Sequence, residues 1–551
     1  MLLFIILCCV LAIHASEEGK AVQNPTVRSS SGEFLGIYNV TRRGRSFEAY
    51  RGIRYAEPPV KELRFQPPVP ILRYEKPVDA TKNGPACPQP SSPGYYVDED
   101  CLTINVYSPV KAERKASLPV IFFIHPGGFY SMTGRSDLFA PDYLLDRDVV
   151  VVTINYRLAT LGFLSTGDSL APGNNGLKDQ VAALQWVQRN IAAFGGDPHL
   201  VTIAGCSSGA VSVMLHMISP MSKGLFHRAI SLSGSPVRKT RSPTHLYPLA
   251  VRQAELVGCP TNSSSDIVNC LRTVPWRDLG LSLNRFYEFG YDPLTLWSPV
   301  VEADFGQERF LPVDPIDAIR ERKMHPVPFI ISRTKDEFFW KAFTVLKNET
   351  LLRRMNENWE DIAPISFMLP RDNSSLATQR LRQEYNLVDL KNDSDTAYNL
   401  GRLYVDAIES FPIYRLTKLM SIHSTAPVWS CFFTYIGNNS FYQDPATKKP
   451  VGSAHHDDLL YLFYIAYRFP KIGSQGTDAD MVDRMIDIWY NFARYGDPNN
   501  RGDTPELDIH WPATSPTTRP YLQIDKQLSI HENLFDQFAA TWEELYPIQY
   551  Y

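Results

Sequence analysis

Ser207 lies in Gly205-Cys206-Ser207-Ser208-Gly209, a G-x-S-x-G pentapeptide whose flanks supply the structural context that the bare pattern lacks. Residues 201–204, Val-Thr-Ile-Ala, read as a short apolar strand, and residues 210–218 place Val211, Val213, Met214, Leu215 and Met217 at spacings that suit a buried helix. A serine at such a strand-to-helix turn lifts its hydroxyl above the sheet, while glycines two places before and after it let neighbouring backbone pass close by. A serine hydroxyl is a poor nucleophile at neutral pH, so it needs a base within hydrogen-bonding reach and a third group to orient that base. The best base among the twelve histidines is His455, in the late polar loop Gly452-Ser453-Ala454-His455-His456-Asp457-Asp458; His456 is its rival. For the acid, residues 327–331 read as a strand leading into Ser332-Arg333-Thr334-Lys335-Asp336-Glu337, so a carboxylate emerges at the strand's carboxyl end, where open α/β sheets place their sites. Negative charge developing on a carbonyl oxygen needs N–H donors. Gly127 and Gly128 of His125-Pro126-Gly127-Gly128-Phe129 can supply them, with the Ser208 amide after the nucleophile.

These residues need a sheet to carry them. Leu118–Ile124, residues 149–155 and the run entering the pentapeptide read as buried strands, and residues 178–194 carry a helical stripe of Val181, Leu184, Trp186, Val187, Ile191 and Phe194 stopped by Gly195-Gly196-Asp197-Pro198. Residues 229–232, 327–331 and 428–435 are expected as later strands, and 481–495 as a late helix. This alternation predicts an α/β fold: a single large domain with a central, mostly parallel sheet flanked by helices. No linker, repeat or low-complexity tract divides its 551 residues.

A net charge of −4 without a basic cluster gives no electrostatic footprint for nucleic acid, so the expected partner is a small-molecule or lipid ester. Residues 1–15 hold an apolar run of signal-peptide length, too short to span a bilayer comfortably, with residues 16–551 as the mature domain. No later segment reads as membrane-spanning, so an extracellular location without stable membrane insertion is expected. Six N-x-S/T sequons, at Asn39, Asn262, Asn348, Asn373, Asn392 and Asn438, agree with that compartment. Six cysteines lie beyond the leader and allow fifteen full connectivities. Cys87/Cys101 and Cys259/Cys270 are close in sequence, whereas Cys206 and Cys431 sit in tight or apolar surroundings, so two disulfides and two free thiols are expected.

Further markers are dense: Tyr55-Ala56-Glu57-Pro58-Pro59, Leu63-Arg64-Phe65, Glu99-Asp100-Cys101-Leu102, Asn155-Tyr156-Arg157, Gly173-Asn174-Asn175-Gly176-Leu177-Lys178-Asp179-Gln180, Phe194-Gly195-Gly196-Asp197-Pro198 and Ser233-Gly234. With these the chain resembles the type-B carboxylesterase/cholinesterase family of α/β-hydrolases, and its texture is similar to secreted insect esterases. The resemblance implies a triad of Ser207, Glu337 and His455, an oxyanion hole of Gly127, Gly128 and Ser208, and Ser233 supporting the triad from behind. It also implies disulfides Cys87–Cys101 and Cys259–Cys270, a buried Arg64–Glu99 ion pair, and no metal or organic cofactor.

Four positions depart from the family pattern. Pro126 replaces a glycine without removing either donor N–H of that loop, and Ser208 replaces the usual alanine but keeps its amide. Phe338 follows the acid where glycine is usual, so the loop must differ if that site needs positive φ. Cys206 stands where an acidic, amide or imidazole side chain is usual. The loop from Cys87 to Cys101 contains Tyr95 and Tyr96 but no tryptophan, which removes a cation–π site for quaternary ammonium unless Trp297 or Trp340 rebuilds one. The expected activity is therefore hydrolysis of uncharged carboxylic esters through an acyl-enzyme. The alternatives are a non-catalytic adhesion or binding module, and a lipase of the same fold.

Overall fold

The computed structural model describes residues 24–90, 94–110, 117–372, 374–444, 447–499 and 509–551, so the leader-like residues 1–15 and the sequon at Asn373 lie outside the described residues. An 11-stranded sheet organises them. Its centre is parallel: Val150–Ile154, Leu118–Ile124, Gly196–Cys206, Arg228–Leu232, Phe329–Thr334, Val428–Phe433 and Pro520–Ile524 lie side by side in that order. Antiparallel strands extend both edges, Leu528–Glu532 on one side and Thr103–Pro109, Ser46–Arg54 and Ile37–Val40 on the other.

The strand Leu118–Ile124 shows why the centre reads as continuous apolar sequence. Successive side chains point to opposite faces of a sheet, and both faces here are covered. Val120, Phe122 and Ile124 join one buried cluster with Val152, Ile203 and the helix residue Val213. Ile121 and Phe123 join a second with Val151, Cys206 and Ile486 of the long helix Thr477–Tyr495.

The predicted strands and helices form with shifted ends. The helix expected over 178–194 spans Asn175–Asn190 and ends in a 3-10 turn, Ile191–Phe194, which Gly195 closes at φ 87°. It starts early because Asn174 takes left-handed φ, 61°, and is anchored there by its side-chain amide donating to Val300 O and Glu302. The sequence reading named no helices between the acid and the base. The structure builds several there, including Glu349–Glu357, Ser375–Glu384, Ser394–Val405 and Phe411–His423. With the terminal helix Asp536–Leu545 they enclose a third apolar cluster around Phe367, Leu400, Tyr404 and Trp542.

Two disulfides form, Cys87–Cys101 and Cys259–Cys270, and Cys206 and Cys431 are free and buried. Arg64 ties the two bridged loops together. Its guanidinium meets the Glu99 carboxylate through two bonds of 2.6 Å, one from Nε and one from Nη2, while Nη1 donates to the carbonyls of Leu271, Arg272 and Val274 just beyond Cys270. Both side chains are buried, and a buried charge stripped of its partner is strongly destabilising. Glu99→Ala should therefore lower unfolding stability by about 3–5 kcal/mol in a denaturant titration. A loss under about 1 kcal/mol would show that the carbonyls alone satisfy Arg64.

Candidate active site

The strand Gly196–Cys206 turns at once into the helix Ser208–Ile218, and Ser207 sits at the turn with φ 56° and ψ −121°. Its N–H donates to Leu232 O on the neighbouring strand at 2.8 Å. Two glycines of the pentapeptide are required by close backbone approach. A Cβ on Gly205 would lie 2.4 Å from the backbone of Gly209, and one on Gly209 would lie 2.2 Å from Ile124 O. The helix is held from behind as well: Ser212 Oγ donates to Ser208 O, and Gln180 bonds both Ser212 and His216.

His455 and Glu337 meet although 118 residues separate them. His455 Nδ1 is 2.5 Å from Glu337 Oε2, the His455 N–H donates to Glu337 O, and Glu337 Oε1 accepts the Thr334 N–H at 2.7 Å. Burial alone would raise the Glu337 pKa, but the His455 ring and the hydrogen bonds outweigh it and hold the carboxyl below its ordinary value. Ser233 is fully buried; its hydroxyl makes no bond of good geometry, yet it stands near enough to help keep Glu337 ionised. The Nδ1–carboxylate contact leaves His455 Nε2 free to act, and among the described residues Nε2 has no hydrogen-bonding partner. His456, the rival candidate, pairs with no carboxylate among the described residues. It takes left-handed φ, 78°, and burial, then the neighbouring His455, push its pKa well down.

Ser207, Ser208, Gly127, Gly128 and His455 line one cavity of about 190 Å³. Gly127 has φ 116°, and a Cβ there would lie 2.1 Å from Ser131 O, so this position too demands glycine. Among the described residues neither Gly127 N–H nor Gly128 N–H donates to any acceptor, and Ser208 N–H is an orphan donor at a helix start. Pro126 fits its place without cost to these donors: its carbonyl accepts from His125 Nδ1 at 2.7 Å, and burial lowers His125 to about 4, keeping that ring neutral. Phe338 needs no positive φ. It packs its ring 4.2 Å from the His455 ring and forms part of the cavity wall.

The rest of the wall includes three groups that sequence reasoning missed, Arg238, Lys239 and Glu409. Arg238 and Lys239 follow Ser233-Gly234 at the carboxyl end of Arg228–Leu232, so the sheet-edge rule that led to Glu337 could have found them. Glu409 sits in a π-helical turn, Asp406–Ser410, and no local pattern marks it. Among the described residues no tryptophan lines the cavity: Trp297 is buried elsewhere and Trp340 stacks on Tyr442.

Four of the five described sequons are exposed, with Asn39 half-buried on the edge strand Ile37–Val40. Asn348 Oδ1 caps the helix Glu349–Glu357 by accepting from the Thr350 and Leu351 N–H groups, whereas the Asn438 amide nitrogen is engaged by Asp478 at 2.8 Å. Asn262 and Asn392 have no such engagement.

Known proteins resemble this chain along its length. A sequence profile described as the carboxylesterase family matches residues 23–542. Juvenile hormone esterase of Tribolium castaneum is 36% identical over 510 residues, covering 89% of this chain and 85% of that protein. Esterase FE4 of Myzus persicae is 36% identical, covering 93% and 90%, and venom carboxylesterase-6 of Apis mellifera is 33% identical, covering 95% and 94%. The crystal structure of juvenile hormone esterase from Manduca sexta, with OTFP covalently attached, superimposes with a TM-score of 0.84 at 28% identity, covering 95% of this chain and 100% of that one. This chain, with its α/β-hydrolase sheet, belongs to the carboxylesterase family and is a carboxylic ester hydrolase.

Proposed function

We propose that the protein is a secreted serine carboxylesterase that hydrolyses uncharged carboxylic esters, in preference to cationic ones, through an acyl-enzyme. The observation that carries this reading is the His455 ring bonded to Glu337 through Nδ1, with a partnerless Nε2 in the wall of the cavity that also holds Ser207. Ser207 Oγ attacks the ester carbonyl while His455 Nε2 takes its proton, and Glu337 stabilises the imidazolium that forms. The carbonyl oxygen, now negative, is received by the N–H groups of Gly127, Gly128 and Ser208. Collapse expels the alcohol, which takes the proton back from His455. Water then repeats the sequence on the acyl-serine, releasing the acid. In the free protein Nε2 has no hydrogen-bonding partner among the described residues, and its bond to Ser207 Oγ forms as substrate binds, since catalytic hydrogen bonds are often completed only in the complex.

Secretion is supported by the leader-like residues 1–15, two disulfides in a chain of this size, and exposed sequons, of which Asn262 and Asn392 are the best placed for a glycan. Residues 16–551 then form one catalytic domain. Rejection of cations is supported by a wall that carries Arg238 and Lys239 and lacks tryptophan. A binding module without catalysis would need none of the pairing that His455 makes with Glu337.

Ser207→Ala and His455→Ala should each lower kcat for p-nitrophenyl butyrate by about 10³-fold or more, whereas His456→Asn, which tolerates the left-handed backbone, should stay within about tenfold of the wild type. The reverse order at positions 455 and 456 would assign the base to His456. For cations, kcat/KM for butyrylthiocholine should not exceed that of its uncharged isostere. A preference of about tenfold for the charged ester would contradict the reading.

A further inference from the structure

The mechanism above leaves the charged part of the cavity wall unused. Lys239 is committed locally: its Nζ donates to the carbonyls of Ala407 at 2.5 Å, Phe367 at 3.1 Å and Met368 at 3.5 Å. Among the described residues no carboxylate is in contact with it, and burial, with the neighbouring Arg238 and Arg415 charges, pulls its pKa down to about 7, so at neutral pH it carries only part of a charge. Arg238 is different. Among the described residues its guanidinium makes no hydrogen bond and no ion pair, although it carries five N–H donors and lies against the cavity. Glu409, 8% exposed, faces the same cavity with no hydrogen-bonding partner and forms no ion pair with Arg238 or Lys239. Arg238, a partly charged Lys239 and Glu409 therefore share one cavity, and the guanidinium fork of Arg238 is left unfilled.

Such a fork matches a carboxylate through two parallel N–H···O bonds, and pairing a desolvated guanidinium is worth more than pairing one in water. Burial makes the charged form of Arg238 unfavourable, and Glu409 only partly offsets this, so an arriving anion relieves a standing cost. Burial, with the Glu337 charge behind it, pushes the Glu409 carboxyl well up, which weakens its repulsion of that anion. We propose that the cavity accepts, beyond uncharged esters, esters bearing a free carboxylate remote from the scissile bond, and that Arg238 is the specificity-determining residue that holds this carboxylate. The inference rests on the serine-esterase reading and names a substrate class for that same cavity.

Two substrate pairs place the anion on either arm of the ester: p-nitrophenyl hydrogen adipate against p-nitrophenyl hexanoate, and butyryl glycolate against ethyl butyrate. In the wild type the ratio of kcat/KM, anionic over neutral, should be about one or higher in at least one pair. Arg238→Met should lower that ratio by about tenfold or more, and Arg238→Lys should restore part of it. A readout that needs no variant is inhibition of p-nitrophenyl butyrate hydrolysis, where adipate should act at about tenfold lower concentration than its diamide. The proposal is overturned if both wild-type ratios fall below about one tenth, if Arg238→Met leaves the ratio within about threefold in both pairs, or if adipate inhibits no better than adipamide. Failure of the wild type to hydrolyse the neutral esters would instead sink the esterase reading and this inference with it.

Discussion

Residue 209 runs so close to the carbonyl of Ile124 that no side chain fits between them, and the position of the nucleophile depends on that contact. The helix after Ser207 can start only where its first turn crosses the end of the neighbouring strand, and the crossing forces Ser207 into φ 56°. Strained backbone of this kind persists only when its surroundings over-determine it. Here Leu232 O receives the Ser207 N–H from one side, and Ser212, Gln180 and His216 brace the helix from the other. The same crossing brings the Ser208 amide and the Gly127-Gly128 turn to one cavity. Sheet packing thus supplies the geometry on which the charge-stabilising donors rely, with no side chain spent on them.

Electrostatics completes what packing begins. Glu337 is entirely buried, where an isolated carboxylate would rather be protonated, yet His455, Thr334 and Ser233 together keep it ionised. An ionised acid at that depth fixes the tautomer of His455 and leaves Nε2 as the acceptor. Across the cavity the order is reversed: Arg238 is a cation short of an anion, burial pulls Lys239 down to about 7, and Glu409 is an acid that burial drives toward neutrality. One end of the cavity thus holds the Glu337–His455 pair and the other, among the described residues, an unpaired guanidinium.

Much of this was legible in the sequence where the signal is local. The pentapeptide, its strand and its helix are contiguous, and steric need for glycine leaves a visible mark at Gly205, Gly209 and Gly127. Glu337 was singled out from chain order and its place at a strand end, and His455 from chain order and a late polar loop; the preference for His455 over His456 rests on the Glu337 bond, which no local pattern marks. Phe338 was expected to alter the acid loop only if its site needed positive φ; it does not, because the backbone there keeps negative φ and the ring gains a place against His455. The helices between the acid and the base went unnamed since their stripes are short and mixed with charge, and their stability comes from the shared cluster around Tyr404 and Trp542. Glu409 was illegible for the same reason: its position follows from a π-helical turn set by packing, and no spacing in the sequence marks it.

The central claim is that Ser207 carries the acyl group, driven by a His455 that Glu337 holds in place. Rapid-quench hydrolysis of p-nitrophenyl acetate, with the released phenol and the peptide mass read from the same samples, tests it most directly. The account predicts a burst of about one phenol per protein together with an acetyl group on the peptide that contains Ser207, and a burst slowed by orders of magnitude in Glu337→Gln. A burst with acetyl on another residue, or an undiminished burst in Glu337→Gln, would contradict it.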